Sequence, residues 1–81
     1  MAQRYDVKNK RGQVMASILI FTVGSEPAQH RVGLIVQPDF SKYEYVAHKI
    51  ETSDEDVISD LMGKFALSQS EFNCEKVDRK T

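Results

Sequence analysis

Hydrophobic and polar residues alternate around Tyr5 and Val7, and residues 13–23 are rich in β-branched and aromatic side chains; both patterns predict β-strands. Glycine, proline and small polar residues separate the predicted strands at three turns, 9–12, 24–27 and 37–41. Four strands are therefore expected, around Tyr5 and Val7 and over 13–23, 30–37 and 42–50. Because short turns join consecutive strands, the strands should form an antiparallel meander.

Beyond residue 50 the spacing of the apolar residues changes to that of a helix. One helical stripe collects five of them: Val57, Ile58, Leu61, Met62 and Phe65. Thr52 or Ser53 can cap the first turn, whose acidic residues suit the positive end of the helix dipole, so a helix is expected over about 54–67. The alternation over 72–77 is compatible with a short final edge strand, and the sequence alone leaves its existence open.

The order of these elements predicts an α+β fold, a small antiparallel four-stranded meander with one helix from the C-terminal half packed on one face. The chain has 81 residues, which suits a single domain over 1–81. Residues 78–81 are expected to be a frayed tail.

The second predicted strand is apolar on both of its faces, unlike a strand with one side in water. Its odd positions include Met15, Leu19, Phe21 and Val23, and its even positions include Val14, Ala16, Ile18 and Ile20. A helix of about 14 residues spans roughly 21 Å and covers one face only. We expect a second copy of the sheet to cover the other face in a homodimer. The alternative is closure by the chain itself, as a rolled sheet or through its C-terminal segment.

Composition limits the class of protein. Hydrophobic residues make up 41% of the chain and charged residues 28%, which argues against disorder over the whole length. The single cysteine, Cys74, cannot form an intramolecular disulfide, so a reducing, cytoplasmic location is expected. The longest apolar stretch, 14–23, is too short to cross a bilayer, and the N-terminus lacks the apolar region of a secretion signal, so no membrane partner is expected.

No motif predicts a catalytic, metal or cofactor site. His30 and His48 lie on different predicted strands, and no further ligands stand at a metal-binding spacing. Cys74 has neither a strained turn nor a glycine-rich oxyanion loop beside it. The four glycines are scattered, so they form no phosphate-binding loop. We therefore expect a non-enzyme without catalytic residues, metal or cofactor.

Charge is divided unevenly between the two parts of the chain. Residues 1–50 contain seven basic and four acidic side chains, and residues 51–81 contain four basic and eight acidic ones, for a net charge of −1. An acidic face at the helix start is predicted from Asp54, Glu55, Asp56 and Asp60. This face could steer a basic protein partner toward the chain.

The leading hypothesis is a non-catalytic protein-binding module that occupies a partner's surface. It follows from the surplus apolar sheet surface, the separate acidic segment and the lack of catalytic motifs. Small inhibitors and regulators of viral or mobile-element type share this profile, by an analogy of size alone.

Basic and aromatic residues in the first hairpin support an alternative, single-stranded nucleic-acid binding. Cations that track phosphates and aromatic rings that stack on bases are typical of such binders. The candidates are Arg4, Tyr5, Lys8, Lys10, Arg11 and Tyr45. The stretch RYDVKNKRGQVMASILIF, residues 4–21, and the order of four strands before a helix resemble the transcriptional-coactivator family of single-strand DNA binders over about half of the chain. The resemblance implies a dimeric domain with a basic, aromatic first hairpin.

Net charge ranks this alternative second, because a protein that tracks phosphates usually carries a strong net positive charge. The same cations can simply keep a turn solvated and an edge strand from pairing. A third class, a small-ligand pocket at a dimer seam, ranks below both.

Overall fold

A computed structural model describes residues 2–77. It contains six elements: β1 (Gln3–Lys8), β2 (Val14–Val23), β3 (His30–Val36), β4 (Tyr43–Lys49), α1 (Asp54–Lys64) and β5 (Asn73–Val77). The predicted α+β class and the four-stranded meander are confirmed, and the residues that the sequence left open contain a fifth strand. The tail expected at 78–81 lies outside the described residues.

All strands belong to one antiparallel sheet with the order β4-β3-β2-β1-β5. The meander runs from β1 to β4 at one edge, and the chain then crosses one face through α1. It returns as β5 on the opposite edge, beside β1. The helix and the segment after it therefore bridge the two edges of the sheet across the same face.

The turn between β1 and β2 forms where the sequence predicts it, over residues 9–12. Its first and last residues, Asn9 and Gly12, stabilise it in different ways. Gly12 has a φ of +81°, a conformation that favours glycine. Asn9 does not adopt positive φ; instead, its side-chain oxygen accepts hydrogen bonds from the backbone N–H of Arg11 (2.9 Å) and of Gln13 (3.0 Å). The hairpin is thus closed by an Asx-type contact at one end and by glycine at the other.

The helix α1 begins as predicted and ends three residues early. The Ser53 hydroxyl caps it by accepting from the Asp56 N–H at 3.2 Å. At the other end Ala66 has a φ of +55°, and the Leu67 N–H reaches back to the Met62 carbonyl at 2.8 Å. This is a Schellman-type ending with alanine where glycine is usual, a signal that apolar periodicity does not contain.

The main core lies between α1 and the sheet. It consists of ten apolar side chains that are almost fully buried: Val7, Ala16, Ile18, Ile20, Ile35, Val46, Val57, Leu61, Met62 and Phe65. Gly33, in the centre of β3, lies directly beneath the helix. A Cβ atom there would lie 2.9 Å from Leu61 Cδ1 and closer still to Val57. The missing side chain therefore lets α1 approach the sheet.

The helix α1 has 11 residues, and no helix within residues 2–77 is long and apolar enough to cross a membrane.

Candidate interaction surface

The pairing register assigns the strand side chains to two faces of the sheet, one covered by α1 and one facing away from it. We call the second one the open face. Its apolar members come from β2, β3, β4 and the β3–β4 turn: Leu19, Phe21, Val23, Val32, Leu34, Val36, Phe40, Tyr43, Tyr45 and Ala47. No helix or strand within residues 2–77 packs on this face.

Closure by the chain itself, the alternative weighed above, does not occur in the described part of the protein. The sheet is an open row of five strands, and β5 extends its edge without folding over its face. Three aromatic side chains on the open face remain mostly in solvent: Phe40 is 77% exposed, Tyr43 63% and Tyr45 65%. The second apolar face of β2 is real, and nothing in residues 2–77 covers it.

Phe40 is held in an unfavourable backbone conformation. Its φ is +60°, a region that costs a bulky residue on the order of 1–3 kcal/mol. The turn is secured on both sides, since Asp39 accepts hydrogen bonds from the Ser41 hydroxyl (2.7 Å) and backbone N–H (3.0 Å). These bonds also lower the pKa of Asp39 below its usual value. The fold thus spends stability to hold a phenyl ring in water beside an apolar surface.

A groove of about 570 Å³ lies next to this ring, toward β1 and β2. Its lining includes Arg4, Ser17, Leu19, Val36 and Phe40. Val14 also lines it, although strict alternation assigns Val14 to the face of Ala16 and Ile18. The cause is a register shift at the end of β1, where Val7 pairs with Ala16 but Lys8 with Val14.

Charged residues on the open face lie mainly on the side of β1 and β5, where they are paired. Arg4 lies 3.5 Å from Asp6, and Lys8 lies 3.2 Å from Glu75. At the other edge Lys49, the register partner of His30, places one further cation at the end of β4. The two ion pairs border the apolar strands without a net charge. Exposed pairs of this kind contribute little stability, but they remove free charge from the surface.

The opposite face contains a polar network that the sequence did not reveal. The Tyr5 hydroxyl donates to Asp54 Oδ2 at 2.8 Å, and the Arg31 guanidinium forms an ion pair with Asp54 Oδ1, with Nε at 3.1 Å. Partial burial and the Asp54 contact raise the pKa of Tyr5 to about 12. Burial also acts to raise the pKa of Asp54, but the hydrogen bonds from Arg31 and Tyr5 outweigh it and hold that pKa below its usual value. The sequence does show that Arg31 alternates with Gly33 and Ile35 and therefore shares a face of the strand with them.

The predicted acidic face is divided by these contacts. Asp54 points into the network with Tyr5 and Arg31, and Asp60 lies 3.0 Å from His48 Nε2. Glu55 and Asp56 are exposed. The four carboxylates therefore do not form one surface that is available to a basic partner.

The nucleic-acid candidates are also dispersed. Tyr5 faces the helix side and is bound to Asp54, whereas Tyr45 stands on the open face. Arg4 and Lys8 have acidic partners, and Lys10 and Arg11 are exposed in the β1–β2 turn. The described chain does not bring these six residues into one groove.

The remaining chemical candidates are separate from one another. Cys74 is half-buried, and burial together with the Asp6 carboxylate raises the pKa of its thiol to about 11. His30 is exposed at the start of β3. Within residues 2–77 no group of three or more His, Cys, Asp or Glu side chains is arranged to hold a metal ion.

No protein-family model, curated protein or solved structure matches this chain.

Proposed function

We propose that this chain is a non-catalytic protein-binding module that occupies a partner's surface with the open face of its sheet. The observation that carries the proposal is a continuous apolar surface over three strands, with three aromatic side chains mostly in water. Exposed apolar patches above a few hundred Å² are unusual on a monomer and mark interaction sites.

The aromatic side chains make the area substantial. Full burial of a Phe or Tyr removes about 150–250 Å² from water, so the exposed fractions of Phe40, Tyr43 and Tyr45 represent roughly 300–500 Å². Tyrosine is also among the residues that most often dominate binding energy at interfaces. The half-buried aliphatic residues between these rings add to the same surface.

The charges indicate which partner surface would fit. Arg4, Asp6, Lys8 and Glu75 form ion pairs at one border and Lys49 adds one cation at the end of β4, so the centre of the face offers no charge to a charged partner. The matching surface is therefore apolar and close to neutral. This partner differs from the basic one that the sequence predicts for the acidic helix start, because Asp54 and Asp60 form contacts within the fold.

The titratable residues with the most unusual surroundings have structural explanations. Asp54, Arg31 and Tyr5 connect the start of α1 to β3 and β1. The raised pKa of Cys74 keeps its thiol protonated near neutral pH, where a nucleophile would need a thiolate. The open face, by contrast, is an apolar surface that no helix or strand of the described chain packs against.

A comparative pull-down from the native host, with protein and nucleic-acid fractions analysed separately, tests the proposal. The bait is the wild-type chain, and the test variant is Tyr43→Ser/Tyr45→Ser. Ile50→Ser is a matched control, since Ile50 is 38% exposed and lies beyond the end of β4 in the β4–α1 connection. A host protein should be enriched by wild type and by the control and lost with the double variant. The same host protein, once purified, should bind the wild-type chain directly.

Equal enrichment by all three baits, or a nucleic-acid fraction that alone depends on the chain, would contradict the proposal. Circular dichroism of each bait ensures that a lost partner does not reflect an unfolded chain.

A further inference from the structure

We infer that the open face binds a second copy of this chain, and that Tyr43 and Tyr45 of each copy occupy the groove beside Phe40 of the other. This inference rests on the proposed role of the open face as a protein-binding surface. It names an occupant and an arrangement that the apolar pattern alone does not specify.

The available area is close to what a stable dimer needs. The four strands of the meander, about 4.8 Å apart and with about six residues each at 3.4 Å, give a face of roughly 19 by 20 Å, or about 400 Å² in projection. The protruding aromatic rings raise the area accessible to water well above this projection. The accessible area therefore approaches the roughly 800 Å² that each partner buries in a standard interface, which fits association at micromolar concentration.

The placement of charge on the face is compatible with binding its own copy. In a two-fold symmetric interface every charge lies near copies of the same surface, so like charges at the centre of the face would repel each other. The centre of the open face is apolar, Arg4 with Asp6 and Lys8 with Glu75 form pairs at one border, and Lys49 stands at the end of β4, at a corner of the face. The unpaired acidic side chains Glu55 and Asp56 lie on α1, on the opposite side of the sheet.

The register predicts how two copies match. Residues that pair across strands form rows on the open face: one row is Arg4, Leu19, Leu34 and Tyr45, and the next is Asp6, Ser17, Val36 and Tyr43. A two-fold axis parallel to the strands, between β2 and β3, places β4 of one copy over β1 of the other. Each row then faces its own copy in reverse order.

This arrangement matches protrusions with a depression. Tyr45 comes to lie opposite Arg4 of the partner subunit, and Tyr43 opposite Asp6 of the partner subunit. Arg4 lines the groove of about 570 Å³, which is wide enough for an aromatic side chain. A tyrosine ring over the guanidinium gains a cation–π contact, and a tyrosine hydroxyl can donate to the carboxylate. Symmetry repeats both contacts, so each copy fills the groove of the other.

Sedimentation velocity over a wide concentration range tests the association. Wild type should form particles of two 9.2 kDa chains at micromolar concentration. Tyr43→Ser/Tyr45→Ser should raise the dissociation constant at least ten-fold, and Ile50→Ser should leave it unchanged. Phe40→Gly relieves the positive φ and should weaken the dimer while the fold becomes no less stable. A single-chain particle for wild type at hundreds of micromolar would overturn the inference.

Cross-linking tests the arrangement, in a Cys74→Ser background. Chains with Arg4→Cys and chains with Tyr45→Cys are mixed and treated with a bismaleimide of about 10 Å, the spacing of packed sheets. A bridge from position 4 to position 45 is expected in the mixture. Tyr45→Cys chains alone should not bridge, because the two β4 strands lie at opposite edges. Bridging from 45 to 45 would indicate pairing of β4 edges and would overturn the groove arrangement.

The two proposals fail in different ways. A monomeric chain whose host partner is lost in Tyr43→Ser/Tyr45→Ser would overturn self-association and leave the proposed function intact. A dimer that enriches no host protein would leave this inference intact and restrict the binding function to self-association.

Discussion

The two faces of the sheet are similarly apolar, but α1 covers only one of them. Strand β2 contributes Ala16, Ile18 and Ile20 to one face, all buried beneath α1, and Leu19, Phe21 and Val23 to the other, which the described chain leaves uncovered. The covered face contains Gly33, which lets the helix approach closely. The open face instead presents large aromatic rings. Both surfaces are apolar, and the side chains at their centres differ in size between the face that packs within the chain and the face that the described chain leaves uncovered.

The strongest test of this contrast is to make the same truncation on each face. Leu61→Ala should lower the free energy of unfolding by about 2–5 kcal/mol, because Leu61 is fully buried between α1 and the sheet. Leu34→Ala on the open face should cost markedly less under conditions in which the chain is monomeric. Chemical denaturation at low protein concentration measures both, and an unchanged midpoint for Leu61→Ala would mean that α1 is not docked on the sheet.

The network on the covered face predicts a dependence of stability on pH. The depressed pKa of Asp54 contributes stability that is present above its unfolded pKa and is lost as the pH falls through the folded one. Tyr5 has a raised pKa, so its contribution is complete below pH 10 and is lost as the pH rises toward about 12.

Asp54→Asn should cost about 1.5–3 kcal/mol at neutral pH, the range for a hydrogen bond to a charged group, and should flatten the acid limb. Tyr5→Phe should reduce the alkaline limb, to which the raised pKa of Cys74 also contributes, and should retain the part of the acid limb that depends on Arg31. Urea unfolding across the pH range measures both variants. Acid limbs of equal steepness in wild type and Asp54→Asn would show that the carboxylate is not engaged.

The close approach at Gly33 can be tested by adding one methyl group. Gly33→Ala should destabilise the fold by about 1–3 kcal/mol, because its Cβ would lie 2.9 Å from Leu61 Cδ1 and would also collide with Val57. Val57→Ala removes part of the clash, so the double variant should be less unstable than the two single effects added together. Strict additivity in a double-mutant cycle would argue against direct contact between these positions.

The smallest effect is expected at the basic turn. Lys8→Gln/Lys10→Gln/Arg11→Gln should not alter the fold, because Lys10 and Arg11 are exposed and Lys8 has only an exposed ion pair. Fluorescence anisotropy should show no binding of wild type to single-stranded oligonucleotides at physiological salt. Micromolar affinity with a log–log salt slope of about −0.7 per phosphate, flattened by the triple variant, would place nucleic-acid binding ahead of protein binding.

Local patterns were sufficient to predict most of the fold. Alternation, β-branched and aromatic content and the turn residues located the four strands of the meander, and the stripe from Val57 to Phe65 located the helix. The apolar periodicity could not predict that Ala66 would end the helix in a left-handed conformation, because alanine has no propensity for that region. Short alternating segments such as 73–77 form strands only when an edge is free, and β1 provides one.

The candidate site was predictable to a lesser degree. The double apolar character of β2 correctly indicated a surface beyond the helix-covered core. Most members of the acidic and basic sets are close in sequence, but alternate strand residues face opposite ways, and ion pairs such as Arg31 with Asp54 join residues that are distant along the chain. The charge that is free to bind a partner depends on such tertiary ion pairs. A single sequence contains no regular spacing from which these pairs can be predicted.

The pairing of β1 with β5 has a topological consequence. Arg4 and Val77 are direct partners on neighbouring antiparallel strands, so their Cα atoms are about 4.5–5.5 Å apart. A linker of a few residues from Gln3 to Val77 would close the backbone into a ring without disturbing a strand. New ends could then be opened in an exposed connection such as 24–28. The sheet therefore requires its strands to be adjacent in space but not to be synthesised in this order, and a circularly permuted chain retains the same open face.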